Sequence, residues 1–173
     1  MRGGARICAG FGLHNSYVQT VLDARRIFRY HEPNDEVMMM QFLCAPMEGV
    51  TGDLFRQAQR QTFPAADSYY TPFLSPTANR TFSPRELREI APAHNAGIHV
   101  VPQLMGHCAE DFLWMAGQLA DMGYDEVNFN LGCPSNTVTA KKKGAGLLTE
   151  PELLRQFFDA VFAACPLPVS VKT

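Results

Sequence analysis

Over residues 41–173, short apolar runs alternate with longer stretches in which apolar residues recur every three or four positions. The first kind predicts strands and the second helices. Residues 41–45 (QFLCA) read as a short strand ended by Pro46, and Thr51 or Asp53 is placed to cap a helix reaching about residue 61. A second strand over 68–71 carries Tyr69 and Tyr70, more suited to packing than to stacking a base. After a polar loop, Ser83-Pro84-Arg85-Glu86 has an N-cap serine, a proline at the first helical position and a glutamate at the third. Residues 98–104 predict a third strand, but Pro102 cannot donate to a ladder, so a bulge or strand end there re-aims Gln103. Phe112, Leu113, Met115, Ala116 and Leu119 predict a helix over 110–122, closed by Gly123. A fourth strand starts at Val127, a helix with Thr149 as N-cap covers about 151–164, and residues 168–172 form a fifth strand.

Strand and helix alternate with no hairpin signal, which predicts a parallel sheet with helical crossovers. The polar candidates fall at strand C-terminal ends, where both (β/α)8 barrels and doubly wound sheets build their sites. No G-x-G-x-x-G opens a helix after the first strand, which counts against a dinucleotide fold. Residues 1–40 differ from the rest. Residues 1–12 are glycine-rich without a clear period, while Tyr17, Val21, Ala24 and Phe28 share one helical face near Arg25, Arg26 and Arg29. Such a segment can be a transit peptide, but Asp23, Glu32, Asp35 and Glu36 count against it. Met38, Met39 and Met40 stand directly before the first strand, so residues 1–40 are expected to be a weakly ordered extension or to lie upstream of the native start.

The chemistry concentrates in VNFNLGCPSNTVTAKKKGAGLL, residues 127–148. Val127, Phe129 and Leu131 alternate with Asn128 and Asn130, so two amides occupy one face of a strand that should be buried. Cys133 sits just past the strand, followed by a polar run and by Lys141, Lys142 and Lys143 with two glycines. A free cysteine is most often a small buried hydrophobe. Amides before it and cations after it suit a thiol that moves protons. The five cysteines include no C-x-x-C pair, so neither a disulfide framework nor a zinc site is suggested, and a reducing cytoplasm is expected. His94, His99 and His107 lack metal-ligand spacing, and no run is long enough for a membrane helix. Residues 41–173 hold 10 Lys/Arg against 13 Asp/Glu, a net −3 that argues against strong RNA binding by this stretch alone.

NLGCPSNTVTAKKKGAG resembles the active-site segment of the tRNA-dihydrouridine synthases, flavoenzymes that reduce uridine in tRNA. APMEGVT (45–51), VPQL (101–104) and SVKT (170–173) resemble that family's first, third and fifth strand motifs, in the family's order. The resemblance implies an α/β fold, the first five or so strands of a TIM (β/α)8 barrel, with residues 41–173 as the N-terminal part of its FMN-binding catalytic domain. It implies FMN as cofactor, NADPH as reductant and tRNA as substrate, with no metal and no membrane.

Cys133 matches the family's catalytic cysteine. Thiols, with an ordinary pKa of about 8.5, are mostly protonated at neutral pH and can donate. Asn130 matches an asparagine that orients uracil or the flavin edge, and Lys141 a loop lysine contacting substrate. Pro46, Met47 and Glu48 match residues lining the flavin, Gln103 a glutamine bonded to its ring, and Lys172 a lysine stabilising the reduced ring. By the same resemblance, a piece of this length is expected neither to retain FMN nor to reduce tRNA alone, and to self-associate through open sheet edges. Another FMN-dependent barrel oxidoreductase, similar to dihydroorotate dehydrogenase, and a non-catalytic half-barrel are the alternatives.

Overall fold

The structure is a computed structural model that describes residues 7–9, 41–63, 66–77 and 79–173. Apart from a three-residue strand at Ile7–Ala9, the expectations for residues 1–40 lie outside the described residues. Strand β1 (Ile7–Ala9) pairs with β2 (Phe42–Cys44), followed by helix α1 (Asp53–Thr62), β3 (Ser68–Tyr70) and α2 (Pro84–Ile90). A 3-10 turn (Pro92–Asn95) leads to β4 (Val100–Val101), β5 (Gln103–Leu104), α3 (Ala109–Asp121) and β6 (Val127–Asn130). A short helix α4 (Asn136–Thr139), a 3-10 segment (Gly144–Thr149), α5 (Pro151–Ala164) and β7 (Val169–Lys172) complete the chain.

Every strand pairing is parallel. The order is β1-β2-β3-β4 in one sheet and β5-β6-β7 in the other. The expected third strand is thus two pieces, split at Pro102. That residue has no N–H to give, while its carbonyl still accepts from Asn128 N (2.9 Å). Leu74 bridges to Leu104 across the break. Parallel strands joined by helices are as the alternation predicts; β1 was not anticipated.

The main core lies between β5-β6-β7 and the helices α3 and α5. Phe129 stacks on Phe157 at 4.6 Å and meets Phe112 edge-on at 5.6 Å. Leu104, Phe129 and Val171 are in register and share one face; Gln103, Asn128 and Ser170 share the other. Two smaller clusters cover the faces of the four-stranded sheet: Leu43, Tyr70 and Val101 on one, Cys44, Tyr69 and Val100 on the other. Tyr69 and Tyr70 are packing residues, as their strand setting suggests.

Local capping departs from expectation twice. Gly52 is the N-cap of α1, because the Thr51 hydroxyl is bonded to Met47 and Asp53 lies within the first turn. Glu150 is the N-cap of α5, because Thr149 donates to the Gly146 carbonyl at 2.8 Å and so closes the 3-10 segment. The capping box at Ser83 forms as predicted, and Gly123 follows α3 with φ +91°.

Candidate active site

All strands being parallel, their C-terminal ends lie at one end of each sheet; Asn130 and Lys172 end β6 and β7, Cys133 follows β6, Pro46, Met47 and Glu48 follow β2, and Gln103 opens the two-residue β5. Gln103, Asn128 and Asn130 are buried on the face of β5-β6-β7 opposite the aromatic core. Asn130 stands in register with Lys172, so that lysine faces the same side. Burying amides is costly unless each finds partners, and here they partner one another. The N–H groups of Gly132 and Cys133 can only donate, and both point to Asn130 Oδ1, at 3.2 and 3.1 Å. The Asn130 Nδ2 therefore faces Gln103 Oε1 (2.7 Å), and Gln103 Nε2 faces Asn128 Oδ1 (2.7 Å). Asn128 Nδ2 then donates to Ser170 Oγ at 2.9 Å. One end of the chain is two backbone donors and the other is a hydroxyl, so its direction is set throughout. The Gln103 backbone N–H is held by Thr71 Oγ1 at 3.0 Å.

Cys133 is half-buried at the end of this row. Its carbonyl accepts from Ala145 N at 3.0 Å, which folds the glycine segment back over it. Gly144 has φ +54°, and a Cβ there would lie 2.8 Å from Cys133 O; one on Gly146 would lie 2.6 Å from Thr139 O. Only glycine fits at either point. This basic glycine stretch is therefore a folded turn packed on the thiol residue. Lys142 (φ +52°) ion-pairs with Glu150 at 2.8 Å, and Lys141 is exposed.

Three further thiols, Cys44, Cys108 and Cys165, have settings of their own. Burial pushes Cys44 up against the lowering charge of Arg56. Burial also raises Cys165. Cys108 is raised by burial and by its hydrogen bond to Glu110. All three are biased away from the thiolate.

The structure joins Gln103, Asn130 and Cys133 by hydrogen bonds and sets Lys172 beside Asn130. Pro46, Met47 and Glu48 follow β2 in the other sheet. Met47 is 51% exposed, and Glu48 pairs with Arg85 at 2.8 Å. Lys141 lies on the surface beyond α4 and makes no link to the amide row. Asn128 and Ser170 were missed as site residues. The signal for Asn128 was its two-residue spacing from Asn130; Ser170 carried none, because only the β6-β7 register brings it opposite Asn128. Among the described residues no group of three His, Cys, Asp or Glu is placed to hold a metal. No helix among them is long and apolar enough to cross a membrane.

The fold and this site define a parallel α/β protein with a buried amide row leading to a thiol at the strand ends. The family model described as dihydrouridine synthase matches residues 43–173, and the chain belongs to that family. It is 33% identical over 146 residues to a probable tRNA-dihydrouridine synthase of Staphylococcus epidermidis, covering 76% of this chain and 40% of that protein. A namesake from Staphylococcus aureus is 32% identical over the same span. Probable tRNA-dihydrouridine synthase 1 of Synechocystis is 35% identical over 133 residues, 76% of this chain and 36% of that protein. The chain thus spans about 40% of the length of the curated relatives it matches.

Proposed function

We propose that residues 41–173 are the front arc of a (β/α)8 barrel that reduces uridine in tRNA to 5,6-dihydrouridine in the cytoplasm. The observation that carries this reading is the buried row Gln103–Asn128–Asn130, bonded to the backbone of Cys133 and flanked by Lys172. The donor set suits FMN. A flavin ring has alternating N–H and carbonyl groups along one edge, and side-chain amides offer both partners. Lys172 supplies a cation for the charge on the reduced ring. Gln103 and Lys172 would hold the ring edge, with Pro46, Met47 and Glu48 lining it from the β2 side. Bound there and reduced by NADPH, FMN would supply the hydride.

The chain's own residues do the rest. Cys133 donates a proton to C5 of the uracil from its thiol. Asn130 holds the peptide N–H groups of Gly132 and Cys133, which fixes where that thiol is presented. This makes Asn130 a positioning group for Cys133 as well as a contact for the base. Lys141, exposed beyond α4, contacts tRNA phosphate.

The test is incubation of dihydrouridine-free tRNA with FMN, NADPH and an enzyme carrying this segment, followed by nucleoside analysis. Dihydrouridine is expected. Turnover of orotate without any change in tRNA would move the assignment to the dihydroorotate dehydrogenase-like alternative.

A further inference from the structure

Away from the amide row, one charged group is completely buried without a part in the chemistry above. Arg56 on α1 has no exposed surface. Its Nη1 donates to Thr51 O (3.0 Å) and Glu89 Oε2 (2.8 Å), and its Nη2 to Glu89 O (2.8 Å) and Asn95 Oδ1 (2.9 Å). Four bonds to the loop before α1, to α2 and to the 3-10 turn hold both terminal nitrogens of the guanidinium, while its buried Nε has no partner among the described residues. Gly52 lets Glu89 approach, since a Cβ there would come within 3.0 Å of Glu89 Oε1.

What this network holds on its other side is a loop. Thr51, 3% exposed, accepts from Met47 N at 2.7 Å and donates to Met47 O at 3.2 Å through one hydroxyl. The N–H groups of Val50 and Thr51 also converge on Met47 O, at 3.1 and 3.0 Å. Gly49, at φ +76°, makes the turn possible. Met47 itself is half exposed at the C-terminal end of β2. A Met47 backbone bonded at both its N–H and its carbonyl, beneath an exposed apolar side chain, is an arrangement that keeps a contact surface ready, because ordering it on binding would cost affinity.

We infer that Thr51, braced by Arg56 and Glu89, is a positioning residue that presents the Pro46–Met47–Glu48 loop to the bound cofactor. This rests on the flavin reading of the site. Serine keeps the hydroxyl and valine keeps the shape, so Thr51→Ser and Thr51→Val separate the clamp from packing. Amide exchange by mass spectrometry on the full chain reads the clamp directly. Thr51→Val is expected to lower protection of peptides containing Met47 by ~10-fold or more, with no change in peptides from α3 or α5. Thr51→Ser restores it.

FMN titration by fluorescence, in an enzyme carrying this segment, reads the consequence. A several-fold weaker binding in the valine variant, rescued by serine, is expected. Unchanged protection at Met47 in Thr51→Val overturns the clamp. Lost protection with unchanged FMN binding overturns its link to the cofactor. If the parent enzyme binds no FMN, the flavin reading fails, and the exchange experiment alone then decides the clamp.

Discussion

Cys133 is held by its backbone on both sides: its N–H by Asn130, its carbonyl by Ala145. The side chain contributes nothing to that scaffold. On the proposed function, Cys133→Ala in an enzyme carrying this segment should therefore leave the fold and flavin binding intact while dihydrouridine formation falls by ~10²-fold or more, the scale of losing a general acid. Single-turnover product analysis beside flavin absorbance checks this, and parental product rates in the alanine variant would make Cys133 structural. A second residue-scale expectation concerns Asp53. Burial alone would raise its carboxyl, but hydrogen bonds from Arg88 and from the Leu54 backbone, with the charges of Arg88 and His94, hold it below its ordinary value. A depressed carboxyl contributes stability that is whole above the unfolded value of about 3.9 and is lost as pH falls through the lower folded value. Urea midpoints measured from pH 5 downward should fall less steeply in Asp53→Asn than in the parent; equal slopes would show that Asp53 contributes nothing.

At the scale of elements, α2 is specified almost entirely by local chemistry. Ser83 Oγ accepts from Glu86 N (3.2 Å) while Glu86 Oε2 accepts from Ser83 N (2.8 Å), and Glu86 Oε1 reaches the preceding loop at Ser75 N (2.8 Å). Local residues suffice there because both partners lie within one turn. The helix α5 is different: it has no side-chain cap and depends on packing Phe157 and Val161 into the core. Phe129 is the contact that joins β6 to both α3 and α5. Phe129→Ala is expected to cost about 3–5 kcal/mol, the usual range for emptying a buried aromatic site. Equilibrium unfolding reads it, and a cost below about 1 kcal/mol would mean that the core is not organised on that ring. The Asn128 and Asn130 partners lie on the other face, so near-native circular dichroism with a lower unfolding midpoint is the expected signature.

For the whole molecule, the faces left uncovered matter most. Among the described residues β7 has no strand on its far side, and Val171 on it is 43% exposed. Phe162 on α5 is 66% exposed although it stacks on Phe158. An unpaired strand and exposed apolar side chains favour self-association. Light scattering of the purified 173-residue chain is expected to give a mass above the monomer, shifted toward it by Val171→Lys with Phe162→Glu. A parent chain that is monomeric at ~100 μM, within the range where exposed apolar surface and strand edges drive association, would contradict this. The surplus of acidic residues over residues 41–173 makes the basic turn at 141–143 a local feature on an acidic body. On the proposed function, this segment's own share of tRNA phosphate contact rests on a few lysines, which predicts that it adds little to the salt dependence of binding.

Hydrophobic spacing alone determined the alternation of strands and helices, the parallel pairing and most element bounds, because these follow from side-chain periodicity and capping within a few residues. It also marked Asn128 and Asn130 as out of place on a buried strand, and Cys133 as the residue at its tip. What spacing does not carry is register. That Ser170 closes the amide row, that Gly132 and Cys133 N–H groups orient all of it, and that Gly144 must be glycine to pass over the thiol residue were decided by which strands pair and how closely loops approach. Thr51 shows the same limit. Beside a helix start its hydroxyl reads as a cap, yet in the fold it bonds Met47, while Arg56, buried by α2 and the turn after it, holds the Thr51 carbonyl. Arg56 and its other partners, Glu89 and Asn95, lie tens of residues apart in the chain, as do Asn128 and Ser170, and only the tertiary structure brings their donors and acceptors within bonding distance.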